Sequence, residues 1–332
     1  MIIRHCAARR CILSEHRAEY IQSSYKFNDR GAIRCHSTNS FDRQLDSYLE
    51  SGDEKSALAL VRESEEITKH FGRARQVPKR SYTLEELRLN KIDTREFLAP
   101  EDTTLDGIRN ILQGSAAAGL LAGFLSGKIE TFYLVQSGIF VALLLTMDQI
   151  VNAGGFEALL VDSAARVLSP TYARRIALHE AGHFLIAYLL GLLPKGYTLS
   201  SWDAFRRTRR LNFQAGTTFC DAEFQSEVKN GQLSSSSLDV FSCVALAGVA
   251  TEWLAYGKAE GGLSDIRQLD NLMTALGFTQ AKADDQVRFS VLNVVTLLRR
   301  HADVQEKLAD AMTGGKSISE CIKIIEDNYH DV

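Results

Sequence analysis

The stretch ALHEAGHFLIAYLLG, residues 177–191, decides the fold. Its long apolar run predicts a buried helix, yet it begins with two histidines and a glutamate. His179 and His183 are four residues apart, so a helix places both side chains on one face, one turn apart. Ionisable groups are costly to bury without a partner, and two imidazoles on one face can share a zinc ion. With Glu180 beside them, the residues match the H-E-x-x-H pattern.

The alternative is an ordinary core helix in which backbone carbonyls satisfy the two histidines. That interpretation leaves Glu180 unexplained. Gly182 lies inside the same pattern and costs about 1 kcal/mol in a helix relative to alanine. It therefore predicts that another element approaches the helix closely at this point.

A catalytic zinc ion usually takes three protein ligands and leaves one position for water. The acidic candidates for the third ligand are Glu252, Glu260, Asp265 and Asp270. Asp265 follows a Gly-Gly loop and falls in the first turn of a predicted helix, where the helix dipole favours a charged carboxylate. Glu252 lies mid-helix in the apolar segment ALAGVATEWLAYG. It is the alternative ligand, or an acceptor that orients a histidine.

The composition is that of a globular protein. Apolar residues make up 45% of the 332 residues, charged residues make up 24%, and the net charge of −3 argues against a nucleic-acid partner. Three cysteines outside the first forty residues lack disulfide or metal spacing and are predicted to be reduced, buried thiols. They are Cys220, Cys243 and Cys321.

The chain divides into four parts. Residues 1–40 are rich in arginine and serine and have no apolar core segment, so we expect an organellar transit peptide; the alternative is a basic tail. Residues 41–106 are expected to form a helical hairpin and a charged linker. Residues 107–150 contain two 17-residue runs without charge, which predict a two-helix membrane hairpin or, alternatively, a soluble one. Residues 160–332 are expected to form the main helical domain.

The predicted fold class is therefore mainly α. Within residues 160–332 the segments LNF, residues 211–213, and GTTFCD, residues 216–221, are expected to form one or two short strands. Two helices are expected over residues 238–256 and 264–276. The basic string FRRTRR, residues 205–210, is expected to be a solvated loop or a contact with anionic lipid headgroups.

Three segments in this order resemble a known family: ALHEAGH, ALAGVATEWLAYG and GGLSDIRQLDNLMTALGF. They look like the peptidase domain of FtsH-type zinc metallopeptidases, over about residues 170–330. Among these the chain is most similar to plant chloroplast FtsH-like proteins that lack the ATPase module. The resemblance implies that His179, His183 and Asp265 bind Zn²⁺ and that Glu180 is the catalytic acid and base. Glu252 matches a glutamate of the family's central helix.

The chain also departs from that family. The span between the apolar runs and the histidines is too short for a motor domain. TGGKS, residues 313–317, has Asp310 where a phosphate-binding loop needs glycine. Val249 and Trp253 stand where the family usually has an arginine and a second glutamate.

The sequence thus predicts a membrane-anchored, ATP-independent zinc metalloendopeptidase that hydrolyses unfolded polypeptides in an organelle. The expected location is a chloroplast membrane, with a mitochondrial membrane as the alternative. Expected partners are a polypeptide substrate, membrane lipid, and either an ATPase-bearing FtsH-type protein or further copies of the chain. The rival hypothesis is a catalytically silent scaffold or assembly factor that keeps the peptidase fold.

Overall fold

A computed structural model of the chain describes residues 30–93, 97, 100, 103–152, 154–209 and 215–330. Most of the predicted transit peptide, with Cys6 and Cys11, lies outside these residues. So do the side chain of Cys35 and residues 210–214.

The described elements are mostly helices, as the sequence predicts. The helices before the first histidine are α1 (Arg30–Ser51), α2 (Glu54–Glu63), α3 (Leu84–Leu89), α4 (Thr103–Leu125), α5 (Thr131–Asn152) and α6 (Gly155–Leu168). Those that follow, with the two strands, are α7 (Pro170–Leu190), β1 (Pro194–Thr198), α8 (Ser201–Thr208), β2 (Gly216–Phe219), α9 (Ala222–Lys229), α10 (Ser235–Tyr256), α11 (Leu263–Ala275), α12 (Gln280–Arg300), α13 (Ala302–Thr313) and α14 (Ile318–Asn328).

Helix α7 forms the centre of the core and packs against α10, α12 and α13. Every residue from Ala177 to Leu189 is buried, which explains why this segment is apolar on all sides. Gly182 allows the close crossing with α10, because a Cβ there would lie 2.2 Å from Thr251 Oγ1. The close approach predicted from this glycine is confirmed.

The segment before the predicted membrane hairpin belongs to the same core. The turn at Gly52 joins α1 to α2, and Asp53 caps α2 by accepting the Ser56 N–H. Phe41, Leu45 and Leu87 are buried in one hydrophobic cluster with the residues of α7 and α10. Part of the predicted linker is also fixed, since the N–H groups of residues 72 and 74 donate to carbonyls at the end of α7.

The two strands form one antiparallel sheet, with Tyr197 opposite Thr217. Strand β2 lies in the predicted segment GTTFCD, residues 216–221. The other predicted segment, LNF, lies outside the described residues, and β1 at Pro194–Thr198 was not predicted as a strand. The predicted helix ends are also close to those observed: α10 ends at Gly257, which adopts a left-handed conformation with φ +77°.

Two described helices are long and apolar enough to cross a membrane, judged by length and composition: α5 and α10. They differ in their surroundings. Of the most apolar 18-residue stretch in each helix, 61% is buried in α10 but only 6% is buried in α5. Helix α5 presents Phe140 and Leu144 to the outside. Helix α4, the other arm of the predicted hairpin, is formed but is less apolar than these two because alanine and glycine dominate it.

The remaining sequence motifs have ordinary structural roles. The TGGKS segment is the turn from α13 to α14, in which Ser317 and Glu320 form a capping box. The three described cysteines, Cys220, Cys243 and Cys321, are free and buried as predicted.

Candidate metal centre

His179 and His183 present their Nε2 atoms to the same point on the face of α7. The two Nε2 atoms are 3.0 Å apart, and both residues are buried, with 8% and 7% of their surface exposed. The helix provides this arrangement directly, because residues four apart lie one turn above each other.

The other ring nitrogens are both engaged in hydrogen bonds. His183 Nδ1 lies 2.7 Å from the carbonyl oxygen of Val244, and His179 Nδ1 lies 2.7 Å from Glu252 Oε1. A carbonyl and a carboxylate can only accept, so each Nδ1 carries a proton and donates. In a neutral imidazole the Nε2 atom then holds a lone pair, and both lone pairs point toward the shared space.

Asp265 supplies the third atom of the cluster. Its Oδ2 lies 3.3 Å from His179 Nε2 and 3.4 Å from His183 Nε2. The residue is in the first turn of α11, which begins after Gly262 at φ +88°. A Cβ at Gly262 would lie 2.3 Å from Val249 Cγ2, so both the backbone angle and the packing favour glycine at this turn.

These three atoms fit a zinc ion. Ligands arranged tetrahedrally about zinc at about 2.0–2.1 Å are ~3.3 Å from one another, and the observed separations are 3.0–3.4 Å. Three acceptors this close repel each other unless a cation or proton lies between them. Two imidazoles and one carboxylate also form a donor set that is common in catalytic zinc sites.

Glu252 lies behind His179 and outside this cluster of ligand atoms. Besides the bond to His179, its Oε2 accepts the N–H groups of Glu260 at 2.8 Å and Gly261 at 3.1 Å. Only 2% of the residue is exposed. The structure therefore gives Glu252 the geometry of an acceptor that orients a histidine, one of the two roles considered from the sequence.

The electrostatics of the cluster favour a bound cation. Burial alone would raise the pKa of Glu252, but the contacts with His179 and the loop N–H groups hold that pKa below its ordinary value. Burial likewise opposes ionisation of Asp265, and its contacts with both histidines lower its pKa. For His179, burial lowers the pKa, but the carboxylates of Asp265 and Glu252 outweigh burial and raise it well above the ordinary value.

Glu180 lies beside the cluster and lines the same cleft. Its Oε2 accepts a hydrogen bond of 2.8 Å from the Thr217 hydroxyl, which ties the catalytic candidate to strand β2. The cleft has a volume of about 1140 Å³ and is lined by Glu180, the three metal-site residues and strand β2. A carboxylate held beside this candidate metal site in an open cleft can exchange protons with a water molecule there.

The other two acidic candidates are not in the cluster. Glu260 pairs with Arg175, whose Nη1 lies 2.5 Å from Oε2. Asp270 is exposed on α11.

Sequence reasoning missed several residues that build the site. Val244 accepts from His183, Gly248 lies against His179, and Thr217 holds Glu180. Two of these residues, Val244 and Gly248, could have been found from their helical spacing to Glu252. Val244, Gly248 and Glu252 are spaced four apart, so they form one face of α10 and meet the histidines together.

No protein-family model matches the chain, and no curated protein or solved structure matches it either. The likeness to FtsH-type peptidases is therefore carried by the three quoted segments alone and remains a prediction.

Proposed function

We propose that this chain is a membrane-anchored zinc metalloendopeptidase that cleaves unfolded or loosely structured polypeptides. The observation that carries the proposal is the convergence of His179 Nε2, His183 Nε2 and Asp265 Oδ2 within 3.4 Å of each other, in the cleft that Glu180 lines. His179, His183 and Asp265 would hold the ion.

The chemistry divides between the ion and the chain. A zinc ion in such a site polarises the scissile carbonyl and lowers the pKa of water. Glu180 takes a proton from the attacking water and delivers it to the leaving amine. Glu252 and the Val244 carbonyl keep the two imidazoles in the tautomer whose Nε2 atoms are free to bind metal.

The cleft suits an extended peptide. Strand β2 lines it and pairs with β1 along one edge. An unfolded substrate segment can add to the other edge through backbone hydrogen bonds, which depend little on side-chain sequence. This supports a peptidase with broad preference for unfolded chains.

The exposed apolar surface of α5 supports membrane attachment, with α4 as the second arm of the hairpin. The arginine-rich start of the sequence supports delivery to an organelle. We assign a chloroplast membrane on the resemblance to plant proteins, with a mitochondrial membrane as the alternative. A partner with an ATPase module would extend the activity to folded proteins. The alternative partner is a further copy of the chain.

The test is Glu180→Gln in the full chain, purified in detergent. We expect one zinc per chain in both proteins and a loss of about 10²–10⁴-fold in hydrolysis of unfolded casein by the variant. Glu63→Gln is the matched control, because Glu63 is exposed on α2.

Undiminished hydrolysis by Glu180→Gln would remove Glu180 from the reaction, and a zinc-free unmutated protein would overturn the proposal. Zinc without hydrolysis of any unfolded substrate would instead favour the scaffold.

A further inference from the structure

The loop between α10 and α11 positions two parts of the metal centre. It contains Glu260, Gly261 and Gly262, and the first two donate their N–H groups to Glu252. Glu252 in turn fixes His179 through Nδ1. Gly262 begins α11, which carries Asp265. The conformation of this loop therefore determines where two of the three ligands lie.

The side chain of Glu260 attaches this loop to two other elements. Its Oε2 accepts the Thr104 hydroxyl at 2.5 Å and lies 2.5 Å from Arg175 Nη1. Its Oε1 lies 3.0 Å from Lys258 Nζ. Only 8% of Glu260 is exposed, so its charge depends on these contacts.

The two attachments come from different parts of the fold. Arg175 lies one turn before His179 on α7, and its guanidinium also stacks over the Tyr256 ring at 4.4 Å. Thr104 lies in the first turn of α4, the first arm of the proposed hairpin. A continuous series of contacts thus joins the hairpin to the metal centre: Thr104 to Glu260, Glu260 to Glu252, and Glu252 to His179.

We infer that Glu260 is a positioning residue that couples the start of the membrane hairpin to zinc affinity. When the start of α4 packs against the loop, the Thr104 hydroxyl holds Glu260 in place. The loop then holds Glu252 and Asp265 in the positions that the ion requires. This inference rests on the proposed function, since it assumes that the cluster binds zinc. It assigns Glu260 no contact with the metal or the substrate.

The first test measures the zinc dissociation constant of the full chain in detergent micelles, by competition with a coloured chelator. Thr104→Val removes the hydroxyl and should weaken zinc binding about fivefold, the lower end of the usual coupling between two sites. Thr104→Ser keeps the hydroxyl and should restore the unmutated affinity. Glu260→Gln should weaken binding about tenfold, as expected for loss of a group that supports a ligand.

A double variant distinguishes coupling through Glu260 from two independent losses of stability, because only independent losses of zinc affinity add up. If Thr104 acts through Glu260, the double variant should bind zinc as weakly as Glu260→Gln alone. Ser115→Ala is the matched control on the same helix, because the exposed Ser115 hydroxyl donates to the Leu112 carbonyl within α4. This variant should leave the zinc affinity unchanged.

A second measurement needs no variant. Coupling of binding free energies is reciprocal, so adding zinc to the unmutated chain should slow amide hydrogen exchange in the first turn of α4. Exchange in α2, which packs against α1, should stay the same.

The outcomes distinguish the two claims. If the unmutated chain binds no zinc, the proposed function fails and this inference fails with it. If the unmutated chain binds zinc, but Thr104→Val and Glu260→Gln bind it equally well and zinc leaves exchange in α4 unchanged, only the coupling is wrong.

Discussion

Gly248 of α10 lies directly against the imidazole of His179: a Cβ on Gly248 would be 2.2 Å from Nε2 and 2.4 Å from Cε1. The same helix also meets Gly182 of α7 with Thr251. Two helices that carry bulky side chains cannot approach this closely. The absence of side chains at these two positions lets Val244 and Glu252 reach the histidines.

The first prediction follows from this contact. Gly248→Ala places a methyl group where His179 Nε2 lies, so the ring must move and the three ligand atoms separate. We expect zinc affinity to fall by at least about tenfold, measured by chelator competition. Gly107→Ala is the control, because a Cβ there meets nothing within 4 Å. Unchanged affinity in Gly248→Ala would show that the ring has room to adjust.

The second prediction concerns the two carboxylates that contact His179, the half-buried Asp265 and the buried Glu252. Asp265→Asn removes a ligand charge and should leave the purified chain with less than one zinc after dialysis. Glu252→Gln removes only the acceptor behind His179 and should lower affinity by about 10–100-fold while zinc still binds. The measurement is the zinc content of both variants. If Glu252→Gln loses its zinc and Asp265→Asn keeps it, Glu252 is the ligand.

The third prediction concerns attachment to the membrane through α5. Phe140 and Leu144 are exposed near the middle of this helix, and an arginine at the centre of a spanning helix costs about 2.5–3.5 kcal/mol. Phe140→Arg with Leu144→Arg should therefore release the chain from isolated membranes in a carbonate wash. Leu89→Arg is the control, because Leu89 on α3 is also exposed and lies outside the hairpin. This variant should stay bound to the membrane. An unmutated chain that washes off would make the hairpin a soluble one.

The fourth prediction is a pH dependence. Burial alone would raise the pKa of Glu260, but the Thr104 hydroxyl and the cations of Lys258 and Arg175 hold that pKa at about 2, against an ordinary 4.5. A carboxyl group whose pKa is lower in the folded state than in the unfolded state stabilises the folded chain at pH values above the unfolded-state pKa. This contribution is lost as the pH falls toward the folded-state pKa. It amounts to at most about 3 kcal/mol.

The measurement is the free energy of unfolding of metal-free chain in micelles, with and without Glu260→Gln. The advantage of the unmutated chain should be constant above about pH 4.5 and shrink as the pH falls further. A difference that does not change with pH would mean that the pKa of Glu260 is the same in the folded and the unfolded chain, which would contradict this prediction.

The fifth prediction is that hydrolysis does not respond to ATP. The sequence contains no complete phosphate-binding loop, and TGGKS forms a helix-to-helix turn. Casein should be cleaved at the same rate with and without ATP, and a tightly folded domain should resist because it opens rarely. Faster loss of the folded domain on adding ATP to the purified chain alone would contradict this prediction.

The sequence by itself determined what depends on local spacing. The positions of His179, Glu180 and His183 on one helix follow from the period of the helix, and the end of α10 follows from Gly257. The break between two helices at Gly52 and strand β2 also lie where the sequence predicts them, whereas β1 does not. Local patterns of this kind are determined within a few residues, so they can be interpreted without knowing the rest of the chain.

Only the tertiary structure decided which distant groups meet. Asp265 is 86 residues from His179 along the chain and Glu252 is 73 residues away; from the sequence both were candidate ligands. The close crossing of α7 with α10 places Glu252 against Nδ1, and the loop after α10 places Asp265 against Nε2. Thr104 reaches Glu260 across 156 residues. Such contacts depend on how whole helices pack, and packing is determined by the sum of many side chains rather than by any one segment.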